Sequence, residues 1–311
     1  MTTREKRQRV QTLIRLGMSA IQAERILNNL SQPNRPSAIS SYSRTATEDK
    51  WAFLKNYTFG VEIECNVNSF DFAQQADNTG LSLSFERYNH NDRTDNTFKC
   101  VPDSSIQGAN AIEVVSPVLK GNDGFTHLKK VCETLGRADA KVNKSCGLHV
   151  HIGNTLTEFQ RVLLVDIYSA CEKHIDDFMA PSRRANKNFF CKSVHDLEAN
   201  ILGNNTFFVD VAGAYDKILS YGRYYKVNLT AMRTHGTIEF RQHQGSVDFE
   251  KISNWVKFCM CLVHYCEDAT IDNFCDKVGS VELSRTVEDL PFLPDELKAY
   301  YKQRTEHFAN R

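Results

Sequence analysis

The chain carries no net charge: Lys and Arg together number 38, and so do Asp and Glu. That balance removes any global pull toward nucleic acid or an anionic membrane surface, and neither is expected as a partner. No apolar run approaches the roughly 20 residues that a membrane span needs. The opening residues, Met1-Thr2-Thr3-Arg4-Glu5-Lys6-Arg7, lack the apolar stretch of a secretory signal, so a cytoplasmic location is expected. The ten cysteines are scattered without a Cys-x-x-Cys pair and read as reduced, mostly buried thiols. Neither a Gly-x-Gly-x-x-Gly nor a Walker A loop is present, so no glycine-rich cradle of backbone amides awaits a nucleotide. Any nucleotide must be held chiefly by metal ions and by Arg or Lys side chains.

Against these absences stand three short segments in which a polar residue recurs at every second position of an apolar run. They are Phe59-Gly60-Val61-Glu62-Ile63-Glu64-Cys65, Gly147-Leu148-His149-Val150-His151-Ile152 and Thr237-Ile238-Glu239-Phe240-Arg241-Gln242-His243. Side chains alternate between the two faces of a strand, so each segment sorts its polar set from its apolar set. Carboxylates and imidazoles flanked by Val, Ile and Phe are costly to desolvate unless something pairs with them, and divalent cations do so.

The rest of the chain frames these strands. Residues 1–30 carry apolar positions at helical spacing, broken at Gly17-Met18-Ser19, and read as a helical hairpin that could recruit a protein partner. Residues 31–50 are rich in Ser, Pro, Thr and Asn and read as a linker. Residues 51–311 are uniformly globular. Strands are expected at about 57–67, 81–88, 111–116, 146–152, 223–230 and 236–242, and helices at about 123–137, 155–179, 248–267 and 292–308. Polar-alternating strands between helices favour an α+β domain, a mostly antiparallel sheet with helices on one face and the polar face open.

Glu62 and Glu64 project the same way, and like charges so close raise one carboxyl unless a cation intervenes. Taken alone, the pair could be two solvated acids on an edge strand. His149 and His151 repeat the geometry with imidazoles, but two histidines do not distinguish zinc from iron or magnesium. Cys146 and His149, three apart, face opposite sides of a strand, which weakens a thiolate–imidazole nucleophile. Glu239 and Arg241 share a face and suit a metal ligand beside a phosphate clamp, since the guanidinium fork fits a phosphoryl group. Asp103 and Glu113 add carboxylates before the histidines, and Arg223 and Asn228 precede the Glu-Arg strand. A basic loop holds Arg183 and Arg184. So acid-rich a set exceeds one tetrahedral zinc and suits two hard cations bridging phosphates.

In this order the motifs resemble the amidoligase family, whose catalytic fold is that of glutamine synthetase and glutamate–cysteine ligase. They are Phe59 to Glu64, Asp103-Ser104-Ser105, Glu113 to Pro117, Cys146 to His151, Arg223 to Leu229, Ile238 to Arg241 and a helix capped by Asp248. The resemblance runs from about Tyr57 to Cys266. It implies an ATP- and Mg²⁺-dependent ligase that joins a carboxylate substrate to an amine through an acyl phosphate. Glu62, His149 and Glu239 would hold one metal, and Glu64 and Glu113 the other. His151 would lie toward the nucleotide phosphates, Arg241 would steady the phosphoryl group, and Asp103 would serve the second metal or the amine. Arg183 and Arg184 would touch phosphate or substrate. A phosphotransferase, or a nucleotide-binding module without ligase turnover, is the alternative on the same fold.

Overall fold

The central strand, β1 (Thr58–Asn66), forms where Phe59, Val61, Ile63 and Cys65 alternate with Gly60, Glu62 and Glu64. The computed structural model describes residues 51–309 apart from 88, 90–94, 154–155, 198–210 and 271–272. The expected hairpin over 1–30 and linker over 31–50 lie outside the described residues. Around β1 the sheet gathers β2 (Leu83–Phe85), β3 (Phe98–Val101), β4 (Ala111–Val115), β5 (Leu119–Lys120), β6 (Gly147–Gly153), β7 (Val227–Asn228) and β8 (Thr237–Gln244). Their order is β2-β3-β4-β1-β6-β8-β7, with β5 also paired to β1. Only β2 and β3 run parallel; the other pairings are antiparallel and the sheet does not close.

The helices among the described residues are α1 (Ser69–Thr79), α2 (Gly121–Arg137), α3 (Glu158–Asp177), α4 (Val211–Ser220), α5 (Ala231–Thr234), α6 (Phe249–Glu267), α7 (Phe274–Glu282) and α8 (Asp295–Ala309). The α+β class expected from the strand patterns is the one observed. Two helix starts are written in the sequence. Asp248 accepts from the Lys251 amide at the head of α6 (2.9 Å), and Thr157 and Gln160 form a reciprocal cap on α3. Ile252, Trp255, Val256, Cys259 and Val263 line the buried face of α6, which lies against β6. Val61, Ile63, Leu148, Val150, Ile238 and Phe240 meet the helices in one buried apolar cluster. The nine cysteines whose side chains are described are buried and form no disulfide. No helix among the described residues is long and apolar enough to cross a membrane.

Several elements depart from expectation, among them the short β5, α4, α5 and α7, none of which was expected. The helix α1 and the strand β3 carry no clear period in the sequence and were not expected. The strand expected over 223–230 shrinks to Val227–Asn228, preceded by a single bridge between Lys192 and Tyr225.

A further departure is a β-bulge, and it changes which side chains share a face. On β6, His149 alone lies between Leu148 and Val150; on the partner strand β8, Arg241 and Gln242 both lie between Phe240 and His243. The extra residue reverses the alternation. His243 therefore leaves the polar face and packs 5.6 Å from the Trp255 ring, its Nδ1 on the Gln244 carbonyl (2.7 Å). Burial pushes this imidazole down to about 3. The unfolded chain then binds a proton that the folded chain refuses, so stability present above about pH 6.5 is lost as the pH falls toward 3. Urea titrations should show the parent losing about 2 kcal/mol more than His243→Gln between about pH 6.5 and 5. Equal losses would contradict a neutral buried His243.

Candidate active site

The polar face of the sheet floors a cleft of about 1120 Å³. That exceeds the roughly 300–1,000 Å³ of a typical small-molecule site. Register explains what meets there. Glu62 pairs with His149 across β1 and β6, Glu64 with Glu113 across β1 and β4, and His151 with Glu239 across β6 and β8. Four carboxylates from β1, β4 and β8 thus surround the two imidazoles of β6.

His149 sits at the centre. Its Nδ1 lies 2.7 Å from Glu62 Oε2 and 3.7 Å from Glu239 Oε1, while its Nε2 lies 3.5 Å from Glu64 Oε1. Among the described residues, two sets offer ligand atoms within 4.8 Å of one another: Glu62, His149 and Glu239, and Glu64, Glu113 and His149. A neutral imidazole has one nitrogen lone pair to give, so His149 completes one set at a time. His151 Nδ1 is tied to Thr237 Oγ1 (2.8 Å), which turns its Nε2 toward Glu62 Oε1 at 3.3 Å. Asn228 Nδ2 donates to Glu239 Oε2 (2.5 Å), and Arg241 ion-pairs with the other oxygen of that carboxylate. Glu64 Oε2 accepts from the Gly147 amide (2.5 Å).

The electrostatics of this centre are strained by burial. Burial alone would raise Glu62, but hydrogen bonds to His149 and His151 outweigh it and hold the carboxyl well below its ordinary value. Burial would likewise raise Glu239, and the Arg241 guanidinium brings it down. His151 is pulled down by burial and up, more strongly, by Glu62. Glu113 finds too little relief: burial, then Glu62, Glu64 and Asp103, push it well above the carboxylate range, and Arg241 offsets only part of that. A carboxyl in that state fits a place where a divalent cation supplies the missing positive charge.

One stability prediction follows from Glu113. A raised folded-state carboxyl stabilises at low pH and costs stability as the pH climbs past the ordinary carboxylate range. In the metal-free protein, Glu113→Gln should therefore raise stability at neutral pH, by roughly 1–3 kcal/mol. The same substitution should remove part of any stabilisation by added Mg²⁺. Thermal melts with and without the ion measure both, and a destabilised metal-free variant would contradict the reading.

Arg183 reaches the centre from the loop after α3. Its guanidinium crosses Gly147, where a Cβ would stand 2.8 Å from Arg183 Nη2 and 3.2 Å from His149 Nε2. A side chain at 147 would push the Arg183 guanidinium aside. Asp103 lines the cleft wall, its Oδ1 taken by the Ser105 amide at 2.7 Å. Arg223 lines the opposite end, over the Tyr224 ring at 5.4 Å. Arg184 does not join them. Its Nε donates to the Met179 carbonyl (2.9 Å) and its guanidinium packs on Phe308 of α8, so its pairing with Arg183 in sequence is not a pairing in space. A 3-10 turn at Pro181–Arg183 ends between the two residues and parts them.

Sequence reasoning passed over several cleft residues. Lys99 on β3 is buried and lies beside Val115, and the sole signal was a lysine inside the apolar run Phe98 to Val101. Arg233 and Phe190, both in the cleft wall, sit in segments without a period. Thr237 was visible, since it alternates with Glu239 on the same strand.

A family model described as "Putative amidoligase enzyme" matches residues 55–263, more than half of the 311-residue chain. The chain belongs to that family. The amidoligase match spans every strand of the sheet, β1 to β8, and all four carboxylates around His149. It supports an enzyme of the ligase class. No match was found among curated proteins.

Proposed function

We propose that this amidoligase is an ATP- and Mg²⁺-dependent carboxylate–amine ligase that works through an acyl phosphate. One observation carries the reading: two acidic sets, buried but for the half-buried Glu62, meet at His149, with Arg241 and Arg183 reaching the same centre. An oxygen-rich donor set of this kind suits hard cations such as Mg²⁺. Glu62, Glu239 and His149 would hold one ion, and Glu64 and Glu113 a second. Such ions neutralise phosphate charge and polarise phosphoryl oxygens.

The chain's own residues do the rest by positioning. A free carboxylate is a poor electrophile. Attack of its oxygen on the γ-phosphorus of ATP breaks the bond to the β-phosphate bridging oxygen, giving an acyl phosphate and ADP. The amine nitrogen then attacks the acyl carbon and inorganic phosphate leaves, so an amide forms. Arg241 supplies a fork of donors to the phosphoryl oxygens during transfer. Asp103, in the wall near Glu113, would take the proton that the attacking ammonium must lose or serve the second ion.

The test is ATP turnover by the full chain with Mg²⁺, mixed amines and candidate peptide or amino-acid acids, read by mass. A product heavier by acid plus amine minus water is expected, together with ADP and phosphate. Glu62→Ala and Glu239→Ala should each abolish it. Turnover of either variant at the parent rate would remove the site assignment, and a phosphorylated product without a new amide would favour phosphotransfer.

A further inference from the structure

The cleft is chemically lopsided. Of the four arginines that line it, Arg241 comes from β8, Arg223 and Arg233 from the segments flanking β7, and Arg183 from the turn after α3 that packs on β8, whereas β3 at the other end contributes Lys99. At the arginine-rich mouth stands an aromatic cluster. The Phe190 and Tyr224 rings lie 5.7 Å apart and both line the cleft, and Phe189 backs Tyr224 at 5.3 Å. Phe190 is 43% exposed and Phe189 61%. Large rings left open to water beside a binding cleft mark a surface that awaits a partner.

These rings are held, not loosely draped. The Lys192 amide donates to the Tyr224 carbonyl (2.8 Å) and the Lys226 amide to the Lys192 carbonyl (2.9 Å), so two segments distant in sequence are laced together. Arg241 Nε donates to the Phe190 carbonyl (3.3 Å), which joins the aromatic mouth to the centre of the site. Arg223 covers one face of Tyr224. A rigid ring pair beside several guanidinium groups complements one kind of ligand: a planar π-system attached to a polyanion.

We infer that Phe190 and Tyr224 form the platform for the nucleobase of the nucleotide substrate, with its phosphates running from there toward Arg241. The inference rests on the ligase reading above. It also orients the cleft: the nucleotide enters from the β7–β8 end, and the acid and amine meet at the β3–β4 end, near Glu113, Asp103 and Lys99.

The experiment is calorimetry on the full chain with Mg²⁺, using a non-hydrolysable ATP analogue and, separately, inorganic tripolyphosphate. The parent should bind the analogue more tightly than tripolyphosphate. Phe190→Ala and Tyr224→Ala should each weaken the analogue roughly 5- to 150-fold, the loss of one stacking contact, and leave tripolyphosphate unchanged. Tyr224→Phe should restore analogue binding, which separates stacking from a folding defect. Unchanged analogue affinity in both alanine variants would overturn the platform while leaving the ligase reading intact. So would parallel losses for both ligands, or turnover lost through a raised KM for acid or amine alone. If the parent bound neither ligand, the ligase reading itself would fail, and the platform with it.

Discussion

Arg241→Ala is expected to lower ATP turnover by about 10³-fold or more while changing nucleotide affinity far less, because the guanidinium acts on charge that develops during transfer. Three contacts fix that guanidinium and its backbone. Its Nη1 pairs with Glu239, its Nε donates to the Phe190 carbonyl, and its amide donates to the Lys226 carbonyl at 2.9 Å. Removing the side chain also strips Glu239 of the cation that holds its carboxyl down. Glu239 would then rise toward protonation, and binding of Mg²⁺ should weaken at neutral pH and recover as the pH rises. Arg241→Lys separates the two roles. Lysine keeps the charge beside Glu239 but loses the planar fork, so Mg²⁺ binding should survive while turnover stays low. A kcat for Arg241→Ala within about tenfold of the parent would exclude a part for Arg241 in the transfer step.

How Arg241 comes to face the cleft shows how far the sequence could be read. Strict alternation places Glu239, Arg241 and His243 together, and for the first two that holds. The bulge between them and His243 depends on the partner strand, where His149 alone stands opposite Arg241 and Gln242. No local pattern on β8 records it. The carboxylates and imidazoles on β1 and β6 were legible because period two persists through apolar neighbours, so the face each would take was fixed. Their mutual distances were not legible, since register between β1 and β6 joins residues 87 apart in sequence. Helices with caps and long apolar stripes, α3 and α6 above all, were plain. By contrast α1 buries only Phe72 and Ala76, too few for a stripe. The arginines at 183 and 184 part for another reason: adjacent residues in a tight turn diverge, and sequence proximity says nothing of which way each goes.

Lys226→Met is expected to destabilise the protein by about 3–5 kcal/mol, the penalty of stranding buried charge. Lys226 is fully buried, and its Nζ lies 2.7 Å from both Glu172 Oε1 and Asp176 Oδ1 on α3. Each acid is also committed to backbone. Glu172 accepts from the Val194 and His195 amides, and Asp176 from the Ala185 amide and from Gln242 Nε2. One lysine therefore braces α3, the loop that carries Arg183, and the bulged residue next to Arg241. Methionine fills the volume but leaves two carboxylates facing each other without a cation. Adding Glu172→Gln to Lys226→Met removes one stranded charge and should recover part of the loss, giving a coupling of roughly 0.5–3 kcal/mol in a double-mutant cycle. Urea denaturation of the four proteins measures it. Were Lys226→Met to cost under about 1 kcal/mol, the value of an ordinary surface ion pair, the triad would not be what holds the Arg183 loop and the bulge in register with the carboxylates.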